Sequence, residues 1–126
     1  MRRPVLAGAL VALALPATAT AKVRWFHSPS RNIECEVAAN DQRGTYAYCQ
    51  TFEPVASIKL NKAGHSKICR GGNCVGNGPE NAFTLGYGRS VTVGPFRCTS
   101  RTSGMTCVVK TSGHGFRIAR RGIARF

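Results

Sequence analysis

Six cysteines constrain this chain more than any other feature, because each must be paired, bound to a metal or buried in whatever fold forms. No Cys-x-x-Cys pair occurs, and the spacings match no zinc finger or zinc ribbon. Disulfides are therefore favoured over a metal site. Sequence alone leaves the connectivity open. The simplest proposal pairs neighbours along the chain, as Cys35–Cys49, Cys69–Cys74 and Cys98–Cys107.

The first residues contain the three parts of a secretory signal peptide. A basic start at residues 1–3 precedes an almost wholly apolar run over 5–15, and small residues lead up to Ala21. That run is shorter than the about 20 residues of a membrane-spanning helix. The sequence therefore predicts a signal peptide over 1–21, cleavage near Ala21, and a secreted protein with no transmembrane anchor. Residues 22–126 are then expected to form a single β domain, short enough to depend on disulfides.

Short runs of alternating apolar and polar residues organise the mature chain, and helical periodicity is absent from it. With turn residues between the runs, and fourteen glycines in the full sequence, this pattern predicts an all-β fold. We expect a small disulfide-stapled sandwich or barrel of antiparallel strands and hairpins. Residues 38–44 are expected to be a loop, and residues 61–81 mostly loop. Strands are expected over 23–26, 33–37, 45–52 and 90–93. Residues 55–60 could form a strand or a short helical turn, and a strand is favoured because Ile58 and Leu60 alternate with Lys59.

The stretch from Gly94 to Phe126 predicts the most definite local structure. It begins with a hairpin that carries Cys98 on one arm and Cys107 on the other. The polar turn between the arms ends at Gly104, where a positive φ is expected. One more strand should follow this hairpin.

That last strand starts after a Gly-His-Gly turn centred on His114. Strict alternation from Phe116 would place Arg120 on the apolar face. Either the strand ends at Ala119, or Arg120 is a partly buried arginine tied to a carboxylate or carbonyl.

Basic residues dominate the charge of the chain. Removal of the predicted signal peptide leaves 16 basic and five acidic residues, a net charge of +11. Such a surface attracts anionic partners, and an anionic cell-wall or extracellular polymer is favoured over nucleic acid as the physiological one. Arg24, Trp25 and Phe26 would join this surface if the two chain ends pair. Alternatively, the same arginines form a basic edge that prevents edge-to-edge pairing of sheets. The candidate contacts are Arg117, Arg120, Arg121 and Arg125.

Three motifs resemble those of a family of small exported actinobacterial proteins of unknown function. They are Ser-Pro-Ser-x-Asn-Ile-x-Cys over residues 28–35, Tyr-Gly-x-x-x-x-Val-Gly-x-Phe-x-Cys-Thr-Ser over 87–100, and Gly-His-Gly-Phe over 113–116. The resemblance spans nearly the whole mature chain. It implies export, six cysteines and a bacterial source, and it implies no activity.

Catalytic chemistry has one weak candidate, His114. Together with Glu34 or Glu36 and with Arg117, it would suit a ribonuclease-like hydrolase of a polyanion. A histidine between two glycines equally suits a turn whose imidazole bonds to the backbone. No Gly-x-Ser-x-Gly motif and no nucleotide-binding glycine pattern occurs, and no cofactor or metal is expected. We therefore expect a monomeric, non-enzymatic binding or structural module, with the secreted hydrolase as the alternative.

Overall fold

The computed structural model describes residues 1–14 and 20–126, so the part of the predicted signal peptide over 15–19 lies outside the described residues. Residues 1–14 have no regular secondary structure. No helix in the described ranges is long and apolar enough to cross a membrane. The strands are β1 (Lys22–His27), β2 (Ile33–Asp41), β3 (Gly44–Phe52), β4 (Val55–Asn61), β5 (Ser66–Arg70), β6 (Phe83–Thr84), β7 (Ser90–Val93), β8 (Phe96–Arg101), β9 (Gly104–Val109), β10 (Gly115–Ala119) and β11 (Gly122–Arg125), with a short 3₁₀ turn at Gly72–Cys74.

The strands form two sheets that pack face to face. The larger sheet has the order β5-β4-β3-β2-β1-β6, and the smaller has the order β11-β10-β9-β8-β7. Every neighbouring pair is antiparallel except β1 and β6, which are parallel. The predicted all-β class is confirmed, and the architecture is a sandwich of two sheets, with no closed barrel among the described strands.

The core lies between the sheets because alternate residues of each strand point inward. In β2, for example, Ile33, Cys35 and Val37 are at most 6% exposed, whereas Glu34 and Glu36 face outward and are half-buried. The largest fully buried side chains come from both sheets, so one core serves the two. They are Phe26, Phe96, Phe116, Ile58, Leu60, Met105 and Ile118.

Two of the three disulfides contact each other at the centre of this core. Cys35–Cys49 joins β2 to β3, and Cys98–Cys107 joins β8 to β9, each between directly opposite residues. All four cysteines are at most 1% exposed. The Sγ atoms of Cys49 and Cys107 lie 3.7 Å apart, across the gap between the sheets.

The third disulfide, Cys69–Cys74, joins the end of β5 to the 3₁₀ turn at the surface. All three pairs join neighbours along the chain, as the simplest proposal from sequence has them. No free cysteine occurs in the described ranges.

Two expected loops are partly strand. Residues 38–41 continue β2 through a β-bulge, in which Asn40 has a φ of 56°. The bulge explains why apolar and polar residues stop alternating at residue 38. Residues 66–70 form the edge strand β5. Ile68 is the one aliphatic residue of β5, so the strand carries almost no apolar pattern, and its pairing with β4 decides its structure.

The C-terminal strand is two strands. β10 ends at Ala119, and exposed Arg120 begins the turn to β11. The first alternative for Arg120 is therefore the correct one. The preceding hairpin turn is tighter than expected, since Arg101 pairs directly with Gly104, whose φ is +132°.

The Ser-Pro-Ser-x-Asn motif forms a turn that ties β2 to the β3–β4 turn. The amide of Arg31 donates to the Ser28 carbonyl at 2.9 Å, and the amide of Ile33 donates to Ser28 Oγ at 3.2 Å. Asn32 clamps the neighbouring turn, because its Nδ2 donates to the Glu53 carbonyl and its Oδ1 accepts from the Glu53 amide, both at 3.0 Å. The motif thus has a structural role in this chain.

We expect the buried and exposed disulfides to differ in their contribution to stability. The double variant Cys98→Ala/Cys107→Ala should lower the free energy of unfolding by at least about 3 kcal/mol, because loop closure and sulfur packing are both lost. Cys69→Ala/Cys74→Ala should lower it by about 2 kcal/mol, since its loop is short and little packing is lost. Urea unfolding of both variants measures the difference. An equal loss in the two would contradict the expectation.

Arg31 has a φ of 62°, in the left-handed region that an arginine adopts at a cost. Arg31→Gly should therefore raise the free energy of unfolding by about 0.5–1 kcal/mol, the relief of strain exceeding the added entropy of the unfolded chain. Arg120→Gly is the matched control, because Arg120 is also an exposed turn residue but its φ is not positive. Thermal and urea unfolding of the two variants should shift in opposite directions.

Candidate functional site

The outer face of the smaller sheet carries a group of arginines and threonines. In β8, Phe96, Cys98 and Ser100 point into the core, so Arg97, Thr99 and Arg101 point outward. Outward residues of β9 and β10 continue this surface. We call it the basic face, and it consists of Arg97, Thr99, Arg101, Thr106 and Arg117.

Strand register sets the geometry of the basic face. Thr99 lies opposite Thr106, and Thr106 lies opposite Arg117, so the three form one row across β8, β9 and β10. Arg97 and Arg101 flank Thr99 on its own strand, each about 7 Å away along the backbone. Arg117 is two strands distant, about 10 Å. Three exposed arginines therefore lie around two half-buried threonines on the same outward face.

No acidic residue belongs to the strands of the smaller sheet. All five acidic residues precede residue 81, and residues 81–126 carry eight basic residues and a net charge of +8. The ion pairs among the described residues both belong to Arg43, with Glu36 at 3.0 Å and Asp41 at 3.7 Å. The basic face is thus open to an external anion.

The four arginines expected from sequence lie in different places. Arg117 is on the basic face, and with Arg121 and Ser103 it lines a groove of about 270 Å³. Arg120 lines a separate groove of about 250 Å³ with Arg101. Arg125 lies on β11, an edge strand, and its Nη1 donates to the Ser66 carbonyl at 3.4 Å.

Arg97 and Arg101 were missed as candidates, although alternation in β8 signals their outward direction. Arg24, Trp25 and Phe26 were expected to join the basic surface only if the two ends of the chain pair. The ends do not pair, because β1 pairs with β2 and β6 while β11 pairs with β10. Phe26 is buried in the core, and the Arg24 guanidinium lies 5.9 Å from the centre of the Phe83 ring.

His114 is exposed in the turn before β10, where its Cβ lies close to Gly64. The two glutamates considered with it lie on the outer face of the other sheet, where Glu36 binds Arg43 and Glu34 lies close to Gly78. The structure therefore does not bring His114 together with either acid. His27 is buried, and its Nδ1 lies 3.0 Å from the Ser28 carbonyl, as expected for a structural histidine.

Three cysteine sulfurs, those of Cys35, Cys49 and Cys107, lie within 4.8 Å of one another. Each belongs to a disulfide, and oxidised sulfur lacks the thiolate that binds metals. This cluster is therefore a packing feature of the core.

Two tyrosines on the outer face of the larger sheet have raised pKa values. Burial, together with a 2.6 Å hydrogen bond that its hydroxyl donates to Glu36, raises the pKa of Tyr46 to about 12. Burial also raises the pKa of Tyr48, and the charges of Glu36 and Glu34 add to the effect. Both phenol groups are consequently neutral, and their hydroxyls donate hydrogen bonds within the protein.

Removal of Tyr46 should change how the protein titrates at high pH. Tyrosine is neutral when protonated, and a pKa above 10 means that the folded state favours this neutral form. The raised pKa therefore contributes to the stability of the fold at pH values below 10. That contribution is lost as the pH rises through about 12. Spectrophotometric titrations of the unaltered protein and of Tyr46→Phe should differ by the tyrosinate absorbance of Tyr46. We expect the midpoint of this difference to lie near pH 12. A midpoint near 10 would contradict the buried hydrogen bond to Glu36.

Comparison with known proteins gives a family and no activity. No curated protein and no solved structure matches this chain. The family described as "Family of unknown function (DUF6636)" matches residues 49–126, which include β4 to β11 and the whole basic face. Because that match covers more than half of the chain, the protein belongs to this family of unknown function.

Proposed function

We propose that this protein is a non-enzymatic binding module that holds a linear anionic polymer of the cell wall or extracellular space on its basic face. The observation that carries the proposal is the acid-free outer surface of the smaller sheet, on which the exposed residues Arg97, Arg101 and Arg117 lie around two half-buried threonines. Guanidinium forks bind phosphate or sulfate oxygens in pairs, and hydroxyls add further donors. A flat sheet with three separated arginines suits an extended chain carrying several anionic groups.

Export of the module is part of the proposal. Three disulfides fit an oxidising compartment outside the cytoplasm. We propose that residues 1–21 are a signal peptide removed near Ala21, and that residues 22–126 act as a monomeric domain.

Hydrolysis by His114 has no supporting geometry, since neither Glu34 nor Glu36 lies beside it. We expect oxidised protein to leave RNA intact. Cleavage of RNA that is abolished in His114→Ala would overturn the non-enzymatic part of the proposal.

Loss of the three arginines should weaken polymer binding more than loss of charge elsewhere. We expect Arg97→Gln/Arg101→Gln/Arg117→Gln to bind inorganic polyphosphate at least tenfold more weakly at physiological salt. The slope of log affinity against log salt should fall by about 2 to 3, because three phosphate contacts are removed. Titration calorimetry or retention on an immobilised polymer measures both, with heparin as the sulfated counterpart of the phosphate probe.

The matched control is Lys22→Gln/Lys62→Gln/Arg70→Gln, which removes the same charge from exposed sites outside the basic face. It should bind polyphosphate nearly as well as the unaltered protein. Equal weakening in the two triple variants would show that net charge alone attracts the polymer, and the proposed site would then be wrong.

A further inference from the structure

The outer face of the larger sheet, on the opposite side of the sandwich, carries a second candidate site. Directly opposite residues of five strands form one row there: Trp25, Glu36, Tyr48, Lys59 and Lys67. With neighbouring strands about 4.8 Å apart, the row is about 19 Å long. We call this row and the grooves beside it the furrow.

Two adjoining grooves follow the row. One of about 550 Å³ lies toward Lys67, and the other of about 230 Å³ lies toward Trp25. Both are lined by Tyr48 and Arg43, so they meet at the middle strand β3. The furrow is therefore long enough for several units of a linear ligand.

The aromatic floor of the furrow is fixed before any ligand arrives. The Tyr48 hydroxyl lies 2.8 Å from both Gln50 Oε1 and the Cys74 carbonyl. Gln50 is itself held by Gly76, to whose carbonyl its Nε2 donates at 2.6 Å. A half-buried ring anchored at its hydroxyl provides a flat apolar surface and loses little conformational entropy on binding.

The two lysines at one end of the row indicate the charge of the ligand. Lys59 and Lys67 are directly opposite on neighbouring strands, an arrangement that is unfavourable for like charges. The Lys59 ammonium lies 4.2 Å from the centre of the Tyr46 ring, and neither lysine forms an ion pair within the described part of the chain. A carboxylate placed between them would relieve the repulsion and be held by two cations.

The other end of the furrow has the opposite character. Glu34 and Glu36 line the groove beside Trp25; Glu36 is paired with Arg43, whereas Glu34 forms no ion pair among the described residues. The Glu34 carboxylate accepts hydrogen bonds from hydroxyl groups and would repel a polymer with a phosphate on every unit. The central strands β2, β3 and β4 are paired on both sides, so their backbone offers no place for an added peptide strand.

We propose that the furrow binds a linear saccharide that carries a carboxylate on some of its sugars but not on every one. Sugar rings would stack on Tyr48 and Trp25, a carboxylate would bind between Lys59 and Lys67, and hydroxyls would donate to Glu34. This site is independent of the basic face and of the polymer proposed for it.

The single tryptophan of the chain, Trp25, lies in the furrow and reports binding by its fluorescence. We expect a hyaluronan tetrasaccharide, in which glucuronic acid and N-acetylglucosamine alternate, to change this fluorescence in a saturable way. The neutral tetrasaccharide chitotetraose should bind roughly tenfold more weakly, because it lacks the carboxylate. Absence of a saturable change with the acidic probe, or equal binding of the neutral one, would overturn the proposal.

Variants locate the site. Lys59→Gln/Lys67→Gln should weaken binding of the acidic probe roughly tenfold, whereas Lys59→Arg/Lys67→Arg should retain it and show that the sheet still folds. Lys22→Gln/Lys110→Gln is the charge-matched control, with both changes at exposed residues outside the furrow. This control should bind the tetrasaccharide normally. A loss of binding in the control, or no loss in Lys59→Gln/Lys67→Gln, would place the saccharide elsewhere and refute the furrow.

Discussion

The contact between two disulfides at the centre of the core is the constraint on which the rest of the structure depends. Cys35–Cys49 and Cys98–Cys107 each hold one hairpin in register, and Cys49 and Cys107 touch across the sandwich at 3.7 Å. A slip of one residue in either hairpin would turn every side chain of a strand to the opposite face. The disulfides therefore decide indirectly which residues reach the basic face and which reach the furrow.

Most of the fold follows from local patterns, and the exceptions have physical causes. Alternation and the spacing of the cysteines predict the central strands, because those strands are buried on one face. The edge strand β5 is not predictable in this way, since only Ile68 among its residues is aliphatic and β4 supplies its partner. The parallel pairing of β6 with β1 joins segments that are distant in sequence, and no local pattern encodes it.

The two candidate sites differ in how far they can be read from sequence. Arg117 is identifiable by its alternation with Phe116 and Ile118, and the same rule applied to β8 would add Arg97 and Arg101. The furrow cannot be read from sequence at all. Its five residues become neighbours only through the registers of four strand pairs, and one of those pairs involves β5, which was expected to be loop.

Each disulfide links two cysteines that are consecutive in the sequence, so the crosslinks lie within the sheets. Cys35–Cys49 lies within the larger sheet, Cys69–Cys74 lies at the edge of that sheet, and Cys98–Cys107 lies within the smaller one. Among the residues that the structure describes, no disulfide runs from one sheet to the other. The sheets are held together by apolar packing and by the segment between β6 and β7, so a force or solvent that weakens the packing separates two layers that each remain internally crosslinked.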